Sequence, residues 1–186
     1  MSSEKESIYY ERVVLRCQRN EKDAFEELIR NWEKRLFYYV RRLVDDEQDA
    51  WDILQQTWLK VIQGIGSLRE PRSLPTWLYR IARGTAMDHW RDKYSRRDLV
   101  HQNETISNVD HESEMFRFED AEQVHYGLNH ISLPHREVLT LYFLEDFSVE
   151  EIAKVLGIPP GTVKSRLYYA KRDLRSVLEQ GDGDNE

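Results

Sequence analysis

Thr162, Lys164, Ser165, Arg166, Tyr168, Tyr169, Lys171 and Arg172 are the residues best equipped for chemistry in this chain. They are hydrogen-bond donors and cations interleaved with tyrosines, and they surround an apolar stripe of Val163, Leu167, Ala170 and Leu174. That stripe has the spacing of a half-buried helix. The remaining faces suit the edges and phosphates of duplex DNA. The chemistry implied is recognition rather than catalysis. The segment 148–178 has the sequence of a helix-turn-helix. Ser148 and Glu151 form a capping-box pattern, and Ile152, Val155 and Leu156 give the first helix its apolar face. Gly157 permits the positive φ that ends it, and Pro159-Pro160 breaks and restarts the chain. A packing hairpin would explain the periodicity, but not the run of donors at the start of the second helix.

A second candidate face lies earlier. Arg80, Arg83, Met87, Arg91 and Tyr94 are three or four residues apart, with Trp77, Tyr79 and Trp90 nearby. A cationic face with aromatics suits a single strand whose bases stack. Taken alone, the face reads better as a solvated, salt-bridged surface with its tryptophans in the core. Other chemistry finds little footing. Gly157, Gly161, Lys164 and Ser165 loosely resemble a phosphate-binding loop, but Thr162 and Val163 separate Lys164 from the second glycine and a helix precedes. His125, His130 and His135 are five apart and do not share a helical face, and there is no H-E-x-x-H pair. No nucleophile constellation is present, so neither an enzyme nor a metal or other cofactor is expected.

These faces need helices to hold them, and the chain predicts an all-α protein. Asn20 with Asp23 opens a long helix with Phe25, Leu28, Ile29, Trp32, Leu36, Val40 and Leu43 inward. A second begins near Gln48 and buries Ala50, Leu54, Trp58, Val61 and Ile65. A third begins near Thr76 and packs through Leu78, Ile81, Ala82 and Thr85. Periodicity fails from Asp98 to about Phe116, where the chain is polar and acidic, and a flexible linker is expected there. Helical pattern returns near Phe118. After Leu133-Pro134, Val138, Leu139, Leu141, Tyr142 and Leu144 form an apolar helix that braces the helix-turn-helix.

The 186 residues allow one medium domain or two small ones, and 40% hydrophobic content supports a core. The net charge of −7 opposes nucleic-acid binding only on average, because charge is segregated. Asp45, Asp46, Glu47, Asp49 and Asp52 form an acidic run. Arg80, Arg83, Arg91, Lys93, Arg96 and Arg97 face only Glu70, Asp88 and Asp92 within 69–97. A single cysteine, Cys17, excludes an intramolecular disulfide framework and is read as a small apolar residue on a helix. No stretch is apolar enough for a membrane span and the N-terminus has no signal-peptide core, so a cytoplasmic protein is expected.

In order along the chain, these strings resemble the extracytoplasmic-function group of bacterial RNA polymerase sigma factors. Leu133-Pro134, Arg136 to Leu139, Ser148, Glu151 to Ala153 and Gly161 to Leu167 resemble its region 4. Asp49-Ala50, Asp52, Gln55, Thr57 and Leu59 resemble its polymerase-binding region 2 helix. Trp77 to Arg83, Asp88 and Arg91 resemble its promoter-melting helix. The resemblance implies a region 2 domain over 1–97, a linker over 98–117, a region 4 domain over 118–178 and an acidic tail over 179–186. It implies core polymerase binding through Asp49, Asp52, Gln55, Gln56 and Lys60. The melted −10 strand would lie on Trp77, Arg80, Arg83, Met87, Arg91 and Tyr94, and the −35 major groove on Thr162, Lys164, Ser165, Arg166, Tyr168 and Tyr169. Implied partners are core RNA polymerase, promoter DNA and an anti-sigma factor that clamps the two domains together, with a monomer outside the holoenzyme. Three positions depart from the family pattern. Gly84 replaces an asparagine implicated in −10 recognition, which moves selectivity elsewhere or bends the helix. Tyr169 stands where arginine is common, and Trp51 where an acid is usual. The alternative is an autonomous helix-turn-helix regulator, which would need a dimerising element that the chain does not offer.

Overall fold

The structure, a computed structural model, describes residues 2–97 and 126–183, with side chains described for 5–93 and 126–179. Among the described residues, seven α-helices carry the fold: α1 Ser2–Gln18, α2 Lys22–Leu43, α3 Glu47–Gly64, α4 Leu74–Arg97, α5 Leu133–Leu139, α6 Val149–Leu156 and α7 Pro160–Gly183. Residues 126–129 add a short helical piece, and there is no strand among the described residues. The expected linker, 98–117, lies outside them.

Periodicity assigns no helix before Asn20, yet α1 buries Val13, Val14 and Cys17. It pairs with α2 through Arg16, whose guanidinium reaches Glu21 at 2.8 Å, Asp23 at 2.9 Å and Glu27 at 2.7 Å. Asn20 does not open α2. It adopts a left-handed φ of 60° in the bend, a geometry asparagine tolerates, and Glu21 takes the N-cap position. Helix α2 then buries Ala24, Leu28, Trp32, Leu36, Tyr39, Val40 and Leu43. Asp46 caps α3 by accepting a hydrogen bond from the Asp49 amide at 3.0 Å. Two 3₁₀ turns, Ile65–Ser67 and Pro71–Ser73, lead into α4. Gln18 holds this loop by donating to the carbonyls of Ile65 and Leu68. Helix α4 starts at Leu74 rather than Thr76, because Pro75 fits a first turn.

In the C-terminal helices, α5 runs into a π turn over Thr140–Leu144. The wider turn changes which side chains face inward. Val138, Leu139 and Leu141 are buried as expected, but Tyr142 is only half-buried and Leu144 is exposed beside Phe143. Asp146 follows with a φ of 55°. Helices α6 and α7 complete the set, both packing with α5 or its turn.

The two halves are not held apart. Helix α4 packs on α6 and α2 on α5. The seam is built on Tyr39, Tyr79 and Phe147, whose rings meet edge to face at 5.0 and 5.1 Å.

Candidate nucleic-acid interface

The helix-turn-helix forms as its sequence dictates. Ser148 Oγ accepts from the Glu151 amide at 3.2 Å, and the Ser148 amide donates to Glu151 Oε2 at 2.9 Å. Gly157 ends α6 with a φ of 67°. The carbonyl of Pro159 accepts from the amides of Thr162 and Val163, starting α7. Val163, Leu167 and Ala170 are buried against α5 and α6, which turns the polar face outward. Lys164, Ser165, Tyr168, Tyr169, Lys171 and Arg172 are exposed, while Thr162 and Arg166 are half-buried. Tyr168 and Tyr169 stand edge to face at 5.3 Å. Lys171 lies over the rings of Tyr142 and Phe143, at 5.5 and 5.2 Å. His135 Nδ1 contacts Asp173 at 2.6 Å and ties α5 to α7. This helix presents a fixed row of donors at a free N-terminal end, the geometry that enters a major groove.

The α4 face is more divided. Arg80 and Arg91 are exposed, Trp77 and Met87 are half-buried, and the Tyr94 side chain lies outside the described ones. Arg91 pairs with Asp88 one turn before it. Arg83 turns away from solvent, and its Nε donates to Glu137 Oε1 at 2.8 Å. Tyr79, read as one of the aromatics available to stack on bases, is fully buried in the seam. Its helical position places it on the inward side with Leu78 and Ala82. Trp90 donates its indole N–H to the Leu43 carbonyl at 3.1 Å. Gly84 is exposed within a continuous α4, and a Cβ added there would meet nothing within 4 Å.

On α3, the five polar residues expected to meet polymerase separate into two sets. Asp49 binds Lys93 at 2.6 Å and His89 at 3.3 Å, bracing α3 to α4. Burial alone would raise its pKa, but the contacts to Lys93 and His89 outweigh burial and lower it. Lys60 pairs with Asp88 at 3.0 Å. Asp52, Gln55 and Gln56 are exposed. Between α2 and α3 runs an open groove of about 490 Å³, lined by Ile29, Trp51, Leu54, Trp58, Leu59 and Ile62 with Glu33 and Asp52 at its polar edge. Trp51 stacks on Phe37 at 4.0 Å and remains 44% exposed. Leu59, one of the residues that carry the polymerase-binding resemblance, is also exposed, as is Ile62, which lies outside that string. The signal was available: 51, 55, 59 and 62 repeat at helical spacing on a face separate from the buried stripe.

Residues 28–96 match the family model Sigma-70 region 2, and residues 121–174 match Sigma-70, region 4. The chain is 31% identical over 180 residues to the RNA polymerase sigma-H factor of Pseudomonas aeruginosa, covering 91% of this chain and 93% of that one. It is 27% identical over 185 residues to the ECF RNA polymerase sigma-E factor of Haemophilus influenzae, covering 94% and 97%. Among solved structures, the sigma factor RpoE of Bartonella quintana, crystallised with the anti-sigma factor NepR, has a similar fold. Its TM-score is 0.70 at 25% identity, covering 86% of this chain and 98% of that one. An all-helical fold with an outward-facing helix-turn-helix defines a DNA-reading protein. By these matches, the chain belongs to the extracytoplasmic-function RNA polymerase sigma factors. Among the described residues, no helix is long and apolar enough to cross a membrane.

Proposed function

We propose that this chain docks on core RNA polymerase through the α2–α3 groove, reads −35 duplex DNA with α7 and holds the opened −10 strand on α4. The observation that carries this reading is the outward row on α7, with Lys164, Ser165, Tyr168 and Tyr169 exposed over a buried Val163, Leu167 and Ala170. Lys164 and Arg166 reach phosphates or guanine edges, and Ser165 reaches either. On α3, Asp52, Gln55 and Gln56 supply polar contacts around an apolar centre of Trp51, Leu59 and Ile62. Asp49 and Lys60 serve chiefly to hold α3 against α4. On α4, Trp77, Arg80, Arg83, Met87 and Arg91, with Tyr94, form the strand-holding face. Stacking and cationic contacts there offset the cost of unstacking the duplex.

In this reading polymerase does the chemistry and the chain supplies promoter choice. It works in the cytoplasm, within the holoenzyme, and an anti-sigma protein is a natural partner, as one is for the Bartonella quintana protein. Transcription from purified core polymerase with and without the chain tests the reading directly. A promoter-specific transcript appears only with the chain present. Failure to bind core polymerase, or a stable dimer binding palindromic duplex DNA alone, refutes it. Replacing Lys164 with Ala should weaken promoter binding across sequences and reduce the salt dependence by about one phosphate contact.

A further inference from the structure

Two helix faces wall the α2–α3 groove. Residues 29, 33 and 37 stand four apart on α2, and residues 51, 55, 59 and 62 stand three or four apart on α3, so each set lies along one side. Phe37 and Trp51 close one end by stacking at 4.0 Å, with an interplanar angle of 27°. The stack leaves Trp51 44% exposed, with Leu59 56% and Ile62 45% exposed further along α3. Large apolar side chains gathered on one exposed face mark a surface that a partner covers. Glu33 and Asp52 stand at the edge of the groove, and Asp45, Asp46 and Glu47 are exposed where α3 begins. The complement of this surface is an apolar ridge flanked by cations.

The two kinds of contact respond differently to salt. Contacts to the acidic edge weaken as salt rises, because exposed charges are screened beyond about 8–10 Å at ordinary ionic strength. Burial of an indole ring is not screened. Phe37 also fixes the Trp51 ring before docking, so little side-chain freedom is lost on binding. A rigid, part-exposed tryptophan beside an apolar floor is the kind of residue that dominates an interface. We infer that Trp51, held by Phe37, is the anchor of polymerase docking. It packs against an apolar side chain of the docking segment and keeps the chain on polymerase in salt that strips the charged contacts. The acidic edge then sets orientation and the rate of encounter, and Trp51 sets how long the complex lasts.

The inference rests on the docking reading above, and binding of the parent chain to purified core polymerase tests that reading first. Affinities of the full chain and its variants are then compared at about 0.1 M and about 0.5 M potassium chloride. Trp51→Ala should weaken binding about tenfold to a hundredfold, by nearly the same factor at both concentrations. Asp52→Asn should weaken it at the lower concentration, and its difference from the parent should close at the higher one. Trp51→Phe keeps a ring on Phe37 and should recover most of the affinity that Trp51→Ala loses. Phe37→Leu keeps apolar bulk without the stacked ring and should weaken binding about threefold to tenfold. Trp51→Ala binding as tightly as the parent overturns the inference, as does a Trp51→Ala deficit that vanishes at the higher concentration. A photoreactive p-benzoylphenylalanine in place of Trp51 serves if Trp51→Ala does not fold. It should crosslink to core polymerase, and a complex that forms without that crosslink overturns the anchor. A parent chain that does not bind core polymerase at either concentration refutes docking itself, and the anchor with it.

Discussion

Gly84 is the residue whose neutrality matters most. It lies exposed in mid-helix with free space around it, so its lack of a side chain serves no packing purpose. Glycine there costs helix stability, and Gly84→Ala should stabilise the protein by about 1 kcal/mol, raising the melting temperature by about 2–4 °C. Gly84→Asn fits the same space. If α4 holds the −10 strand, it should change which promoters are used, as read by mapping transcript starts, without unfolding the helix. A second residue makes a simpler point. Cys17 is 1% exposed, and burial pushes its thiol up to about 11. The folded chain should resist alkylation at neutral pH and react fully once unfolded, as mass spectrometry of iodoacetamide-treated samples will show. Cys17 was legible as an apolar helix residue from its type and its isolation. Arg83 was not legible as a seam residue, because its partner Glu137 is 54 positions away in sequence.

At the scale of elements, local signals carried most of the fold. The capping box, the positive-φ glycine and the two prolines define α6 and α7 from contiguous residues, and these formed as read. The α3 stripe of Ala50, Leu54, Trp58 and Val61 is buried throughout, and Ile65 continues it in the 3₁₀ turn that follows. What failed depended on distant packing. Helix α1 has a weak apolar pattern, and its Arg16 contacts are made with α2 and the bend before it. The π turn replaced the last turn of an apolar helix and brought Leu144 to the surface. The α3–α4 brace makes an element-scale prediction about acid. Asp49 has its pKa lowered in the folded chain, so its stabilising contribution is full above the unfolded aspartate value of ~3.9. It is lost as pH falls through the lower folded value. Thermal melts of the parent and Asp49→Asn should therefore differ at pH 6 and converge as the pH is taken below 3. A gap that persists unchanged into strong acid would show that Asp49 contributes by shape rather than charge.

For the whole molecule, the seam decides whether the two halves behave as one. Phe147 is buried against Tyr79 at its centre. Phe147→Ala should cost about 3 kcal/mol by leaving a cavity. Calorimetry should then resolve two transitions where the parent gives one, because the loss falls on the contact between halves. The sequence suggested two helical units on a tether and left their arrangement open. No contiguous stretch reports on it, since the deciding pairs join Arg35 to Glu145 and Tyr39 to Glu137. The mixture of rings and ion pairs in that seam has a thermal consequence. Exposing apolar surface raises heat capacity and exposing polar surface lowers it. Opening this seam does both, so the two contributions oppose one another. The enthalpy of separating the halves should then vary little with temperature, so a van 't Hoff plot of that equilibrium should be nearly straight.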